Sequence, residues 1–194
     1  MLFWTMAMSK TANFNPELWV SKYADQLYSY TVARVTDTGS AEDIIQDTFL
    51  SAWKNRDSFK GEASEKNWLY AICKNKIIDH FRKKNRAIAQ PLAFDASDSF
   101  FDEEDHWTRE SGPTDWGVNY NHPIDKKEFY SILEMCKSKL QQLQQSVFVL
   151  KFMEGQDSES ICKVLNISTS NYWVLIHRAK LQLRSCLHKN WINA

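Results

Sequence analysis

The chain has no Cys-x-x-Cys pair, no apolar run long enough to cross a bilayer, no glycine-rich phosphate loop and no net charge. Each absence excludes a class of protein. The four cysteines, Cys73, Cys136, Cys162 and Cys186, stand far apart. Without ligand spacing, they and the scattered histidines make no metal cluster, and no metal or cofactor is expected. Cys73, Cys162 and Cys186 fall on apolar helix faces, where a thiol acts as a small hydrophobe, so the chain reads as reduced and cytoplasmic. The start, MLFWTMAMSK, lacks a basic n-region and an adequate apolar core; it makes a poor signal peptide, and Met6 or Met8 are alternative starts. Direct membrane insertion is not expected, nor is nucleotide hydrolysis or a small-molecule substrate.

The neutral total hides segregation. Lys60 to Phe94 carries roughly +5, Asp95 to Glu128 roughly −7, and Lys137 to Ala194 roughly +5. Two basic blocks flanking an acidic one suggest two DNA-facing modules and a connector that does not bind DNA; ordinary solvated surfaces are the bland alternative. A length of 194 residues fits one large domain or two small ones.

Nearly everything outside the connector reads as helix. Asn15 and Pro16 open the first. Ser40 with Asp43 resembles a capping box for a helix to about Asn55, with Ile44, Ile45, Thr48, Phe49, Ala52 and Trp53 as its buried stripe. Gly61 breaks the chain, and Ser64 or Asn67 caps a helix whose inner face includes Leu69, Ile72, Cys73, Ile77 and Phe81. Periodicity fails from about Ala87 to Pro123, around the acidic run Asp102 to Asp105; its aromatics Phe100, Phe101, Trp107, Trp116 and Tyr120 argue for a segment that orders on a partner. Asp125 with Glu128 suggests another cap, and a helix from Gln142 stops near Gly155. Asp157 then caps a short helix, Asn166 to Ser168 form a turn, and a long helix runs from Thr169 to about Lys189. Short helix, tight turn and longer basic helix make a helix-turn-helix pattern.

The run Phe59 to Arg86, FKGEASEKNWLYAICKNKIIDHFRKKNR, orders an aromatic, a short loop, a Trp-led helix and a basic end. That order suits a protein that holds phosphates with lysines and arginines and captures unstacked bases beside the loop.

Ala41-Glu-Asp-Ile-Ile-Gln-Asp-Thr-Phe-Leu-Ser-Ala-Trp53, then Phe59-Lys-Gly61, then Trp68-Leu-Tyr-Ala-Ile-Cys-Lys-Asn75, resembles region 2 of bacterial sigma factors. The specific likeness is to the extracytoplasmic-function (ECF) class of the sigma-70 family. Leu143 to Leu187 is similar to region 4, with Gly155, Asp157, Glu159, Ile161, Leu165, Arg178 and Ala179 at its landmarks. The resemblance implies an all-α fold of two small helical domains: an N-terminal extension (1–12), region 2 (13–88), an acidic linker (89–123) and region 4 (124–194). It implies a non-enzymatic transcription initiation factor that binds core RNA polymerase and promoter DNA and assists melting by capturing unstacked minus-ten bases. An anti-sigma factor is a further partner the family suggests, with the Trp173 region and Trp191-Ile192 as places for it. The acidic linker would thread through the positively charged polymerase interior as a nucleic-acid mimic.

Carried over residue by residue, Asp43, Gln46, Asp47 and Leu50 are the expected polymerase contacts, the inner stripe of their helix being committed to the core. Lys60, Gly61, Glu62, Ala63, Ser64 and Asn67 match the base-capturing loop. Trp68 reads as a core anchor beside it. Lys74, Asn75, Arg82, Lys83, Lys84 and Arg86 match the strand-holding positions. Ser168, Ser170, Asn171, Trp173, Val174, His177, Arg178 and Lys180 match the minus-thirty-five reader. Tyr172-Trp-Val-Leu175 departs from the basic or small polar residues usual there. Thymine-methyl readout, a relocated core and a protein-facing surface are all open for it. The competing functions are a dimeric helix-turn-helix regulator that acts without polymerase core, and a nuclease using Asp43/Asp47 or Glu62/Glu65.

Overall fold

The computed structural model describes residues 14–86 and 123–192, and every regular element within them is helical. The chain divides into two compact units, Met1–Phe81 and Arg82–Ala194. The expected extension (1–12), and the linker up to residue 122, lie outside the described residues.

In the first unit a single turn, Pro16–Leu18, leads into α1 (Trp19–Val32). Next come α2 (Thr38–Lys54), a turn at Arg56–Ser58, and α3 (Glu65–Arg86), whose last turn groups with the second unit. Leu27 of α1, Ala41, Ile44, Ile45 and Ala52 of α2, and Leu69, Cys73, Ile77 and Phe81 of α3 are buried. Each large side chain contributes about 1.5–3 kcal/mol by leaving water. Two threonines enter this core by donating to the carbonyl one turn back: Thr31 to Leu27 at 2.8 Å and Thr48 to Ile44 at 2.7 Å.

Two local readings need correction. Asp37, in extended conformation, caps α2 by accepting the Ser40 N–H at 2.7 Å, so the cap precedes the expected Ser40. Trp53 is 45% exposed, its ring 4.8 Å from the Arg56 guanidinium, and does not belong to the buried stripe.

The second unit contains α4 (Pro123–Ser138), α5 (Gln142–Phe148) extended by a wide turn to Met153, α6 (Ser158–Leu165) and α7 (Thr169–Leu187). Since α4 begins at Pro123, Asp125 lies inside it and is not its cap. Cys136, Leu140, Ala179, Leu183 and Leu187 form a buried cluster, with Phe129, Ile132, Leu133 and Phe148 against it. Within it Cys136 and Cys186 are joined as a disulfide, which corrects the reading of Cys186 as a free thiol. Cys73 and Cys162 take part in no disulfide.

The helix-turn-helix comes from local chemistry. Asp157 caps α6, accepting the Ser160 N–H at 2.8 Å and its hydroxyl at 2.7 Å. These bonds hold its carboxyl below the ordinary value. The cap therefore supports the fold above the ordinary carboxylate pKa (~4) and is lost as pH falls through the depressed value. Asn166 closes α6 in the left-handed region (φ 55°), and Ser168 caps α7 by accepting the Asn171 N–H. Gly155 precedes this motif at φ 67° with open space around it. A Gly155→Ala variant meets no clash but carries the left-handed penalty; about 1 kcal/mol of stability is expected to go, measured by thermal unfolding.

Candidate nucleic-acid interface

The loop from Lys60 to Ser64 is clamped at both ends by rings. Phe59, just before it, stacks on Phe14 at 4.7 Å, and Trp68, in the first turn of α3, lies 5.3 Å from Phe59 and 5.6 Å from Trp19. Trp68 thus takes the role of an anchor. Between the clamps Gly61 adopts φ 69°, and Lys60, Glu62, Ala63 and Ser64 are exposed. Ser64 also caps α3, its hydroxyl accepting the Asn67 N–H at 3.2 Å.

Glu65, next in sequence, ties down the residue that follows the loop. It is buried, and its carboxylate accepts the Asn15 backbone N–H at 2.5 Å, the Trp19 indole N–H at 3.1 Å and the Tyr23 hydroxyl at 3.4 Å. Partial burial first, and then the Glu65 charge and hydrogen bond, raise the Tyr23 pKa. Glu65 is therefore a structural latch joining the start of α1 to the start of α3. That use leaves no free carboxylate for the Glu62/Glu65 pair a nuclease would need.

Along α3, Asn67 and Asn75 are exposed and Lys74 is half-buried. Asn67 and Lys74 line one concave surface with Tyr30, Lys66, Tyr70 and Ala71. Tyr30, Lys66 and Tyr70 were not among the expected contacts, although the spacing of Lys66, Tyr70 and Lys74 by four residues is a legible helical stripe. Lys83 and Arg86 are exposed and Arg82 and Lys84 half-buried in the last turns of α3; they do not line that surface.

On α2, Asp43, Gln46, Asp47 and Leu50 are all exposed, Leu50 to 51%. Their spacing places them in a single stripe, which Trp53 continues. An acidic and amide surface with apolar side chains at one end is suited to a basic protein partner.

On α7, Ser170, Trp173, Val174, His177 and Lys180 are exposed at helical spacing and share a face. Trp173 is 59% exposed, whereas Tyr172 and Leu175 are buried. A relocated core is thereby excluded for Trp173 and Val174, and Tyr172 and Leu175 are core. Ser168 is exposed and Asn171 half-buried at the helix start. Arg178 stands apart: at 7% exposure it lies inside the unit and off this face. Phe152 is exposed, with the Lys180 ammonium 5.4 Å from its ring. Among the described residues no three His, Cys, Asp or Glu side chains group as metal ligands, and no helix is long and apolar enough to cross a membrane.

A three-helix unit with a clamped loop and a second unit containing a helix-turn-helix define a helical DNA-binding protein of two modules. Residues 19–87 match the family model for sigma-70 region 2, and residues 130–183 the model for sigma-70 region 4. The chain is 34% identical over 179 residues to a probable RNA polymerase sigma factor of Haemophilus influenzae, covering 91% of this chain and 92% of the relative. It is 27% identical to the ECF RNA polymerase sigma factor SigX of Bacillus subtilis, covering 87% and 81%. A solved structure of the sigma factor RpoE with the anti-sigma factor NepR from Bartonella quintana is 20% identical, with 88% and 95% covered and a TM-score of 0.40. The chain belongs to the sigma-70 family of RNA polymerase sigma factors, in its ECF class. It is a transcription initiation factor. The region 2 match leaves a helix-turn-helix regulator acting without polymerase core unsupported.

Proposed function

We propose that this cytoplasmic, non-enzymatic factor opens promoters by selecting an extruded non-template base with the loop Lys60 to Ser64. The observation that carries the reading is the double clamp, Phe59 with Phe14 before the loop and Trp68 with Trp19 after it. A loop preorganised in this way loses little entropy on capturing a base, so stacking and hydrogen bonding at Glu62 and Asn67 are retained as affinity. Residues 13–88 form the polymerase and minus-ten module, with Lys74, Asn75, Arg82, Lys83, Lys84 and Arg86 holding the strand. Residues 124–194 form the minus-thirty-five module, reading DNA with the face from Ser170 to Lys180. An anti-sigma factor covering the exposed Trp173 surface is part of the same proposal.

The test is reconstitution with core polymerase and a run-off screen of genomic fragments. Specific transcripts that require this chain support the reading, and none from any promoter overturns it. The polymerase contact has its own check. Leu50→Asp places a charge in the centre of the α2 stripe and is expected to weaken core binding at least tenfold, with the thermal unfolding curve unchanged because Leu50 is outside the core.

A further inference from the structure

The terminal turn of the chain touches both helices that the Cys136–Cys186 bridge joins. Cys136 belongs to α4 and Cys186 to the last turn of α7, with their Cα atoms 5.7 Å apart. Their surroundings differ. Cys136 is 1% exposed, within the apolar cluster of Leu140, Ala179 and Leu183, whereas Cys186 is only partly buried. After α7 the chain makes a wide turn, His188–Ile192. From it the Asn190 amide donates to the Cys186 carbonyl at 2.7 Å and to the Cys186 Sγ at 3.6 Å. The next residue, Trp191, meets Phe129 of α4 edge to face at 5.8 Å. One sulfur is thus open to small reagents and served by a hydrogen-bond donor, while the other is shielded.

We propose that Cys186 is a peroxide-reactive thiol and Cys136 its resolving partner, which makes the bridge a reversible redox switch in the second unit. In the reduced chain the Cys186 thiolate attacks the terminal oxygen of a hydroperoxide. The O–O bond breaks, a sulfenic acid forms on Cys186, and the departing oxygen takes a proton from water. The Cys136 sulfur then attacks the sulfenic sulfur; the S–O bond breaks, and water leaves with the Cys136 proton. The two thiols have supplied the two electrons that reduce one peroxide. Two small thiols reverse the step, the first attacking the accessible Cys186 Sγ and releasing Cys136, the second releasing Cys186. An N–H beside the sulfur favours the attacking anion, and partial exposure admits the oxidant. The inference rests on the cytoplasmic reading above, because thiols there are held reduced and a bridge is transient and redox-sensing. Closing it cross-links α4 to the far end of α7, whose first half carries the proposed DNA-reading face, and holds that module together.

The experiment uses the full chain, reduced with thiol and freed of it before stoichiometric hydrogen peroxide is added. Cys136 and Cys186 are expected to become closed to alkylation together, and glutathione to reopen both. Dimedone, which traps sulfenic acids, should label Cys186 in Cys136→Ser and leave Cys136 unlabelled in Cys186→Ser. Asn190→Ala should slow the labelling about fivefold, the worth of one hydrogen bond. If Cys136→Ser does not fold, the wild type treated with substoichiometric peroxide and dimedone decides by the position of its label.

Label on Cys136 in place of Cys186, or on neither, overturns the assignment, and an unchanged rate in Asn190→Ala overturns the part given to the donor. A bridge already closed in unstressed cells and unmoved by glutathione in the purified chain is a structural cross-link, which overturns the switch. Run-off transcription with core polymerase reads the output. After brief warming between the melting points of the two forms, the oxidised chain should keep its activity and the reduced chain lose most of it. Equal loss overturns the effect on DNA reading. No transcript from either form at any temperature defeats the promoter reading instead and leaves the thiol chemistry standing.

Discussion

Opening the Cys136–Cys186 bridge is expected to lower the stability of the second unit by about 4 kcal/mol. The two cysteines are 50 residues apart, and loop-closure entropy for a cross-link of that span gives a figure of this size. Both sulfurs lie in the apolar cluster between α4 and α7, so the reduced side chains still pack as small hydrophobes. The loss therefore comes chiefly from a freer unfolded chain, with little change in native contacts. For a unit of this size it corresponds to a fall in melting temperature of roughly 15 °C or more. Thermal unfolding of the Cys136→Ser variant, and of the wild type in reductant, should agree, while Cys162→Ser should leave the transition in place. A shift of only a degree or two would show that the bridge adds no constraint the packed core lacks. Disulfides persist in oxidising compartments, so alkylation of freshly lysed cells, which traps open thiols, reads directly which form the working protein has.

The bridge also marks where the sequence stops being readable. Helical periodicity placed Ile44, Ile45, Thr48 and Ala52 on one buried face, and the structure buries all four. It could not show that Cys136 and Cys186 meet, because nothing local relates the faces of helices 50 residues apart. Trp53 failed for a different reason. It sits four residues after Phe49 and so continues the stripe on paper, but it falls in the last turn of α2, where it packs with Arg56. The cap of α2 was expected at Ser40 and lies at Asp37, an equally good cap residue, because Asp37 holds the extended backbone that a cap requires. The stripes on α2 and α7 came from the resemblance to sigma regions 2 and 4, and the structure leaves Asp43, Gln46, Asp47 and Leu50 of α2 and Ser170, Trp173, Val174, His177 and Lys180 of α7 exposed. Arg178 shows the limit of that argument, since a basic residue near a basic face was buried by the fold. The Tyr30 contribution to the concave surface was likewise invisible, as it depends on α1 lying beside α3.

Glu65 is the clearest of these tertiary effects, and its removal is the second large expected result. A glutamate just after a serine cap ordinarily reads as a solvated complement to the helix dipole. Here it is buried and serves donors 42 to 50 residues earlier in the chain. Glu65→Ala leaves the Asn15 and Trp19 N–H groups without that acceptor, and each unpaired donor costs about 1–3 kcal/mol, so a loss of about 3 kcal/mol is expected in the first unit. Glu65→Gln keeps an acceptor oxygen of similar reach and should cost about 1 kcal/mol. Because the latch directly follows the loop in the chain, the functional loss should be selective. Permanganate reactivity of the melted promoter should fall more than core-polymerase affinity, which is proposed to rest on the exposed face of α2. Equal losses in both would mean that Glu65 supports the whole unit without positioning the loop, and an unchanged melting curve for Glu65→Ala would remove the latch altogether. Loss of the carboxylate also takes away two of the three causes that raise the Tyr23 pKa. Spectroscopic titration at alkaline pH should show that phenol ionising earlier in Glu65→Ala than in the wild type.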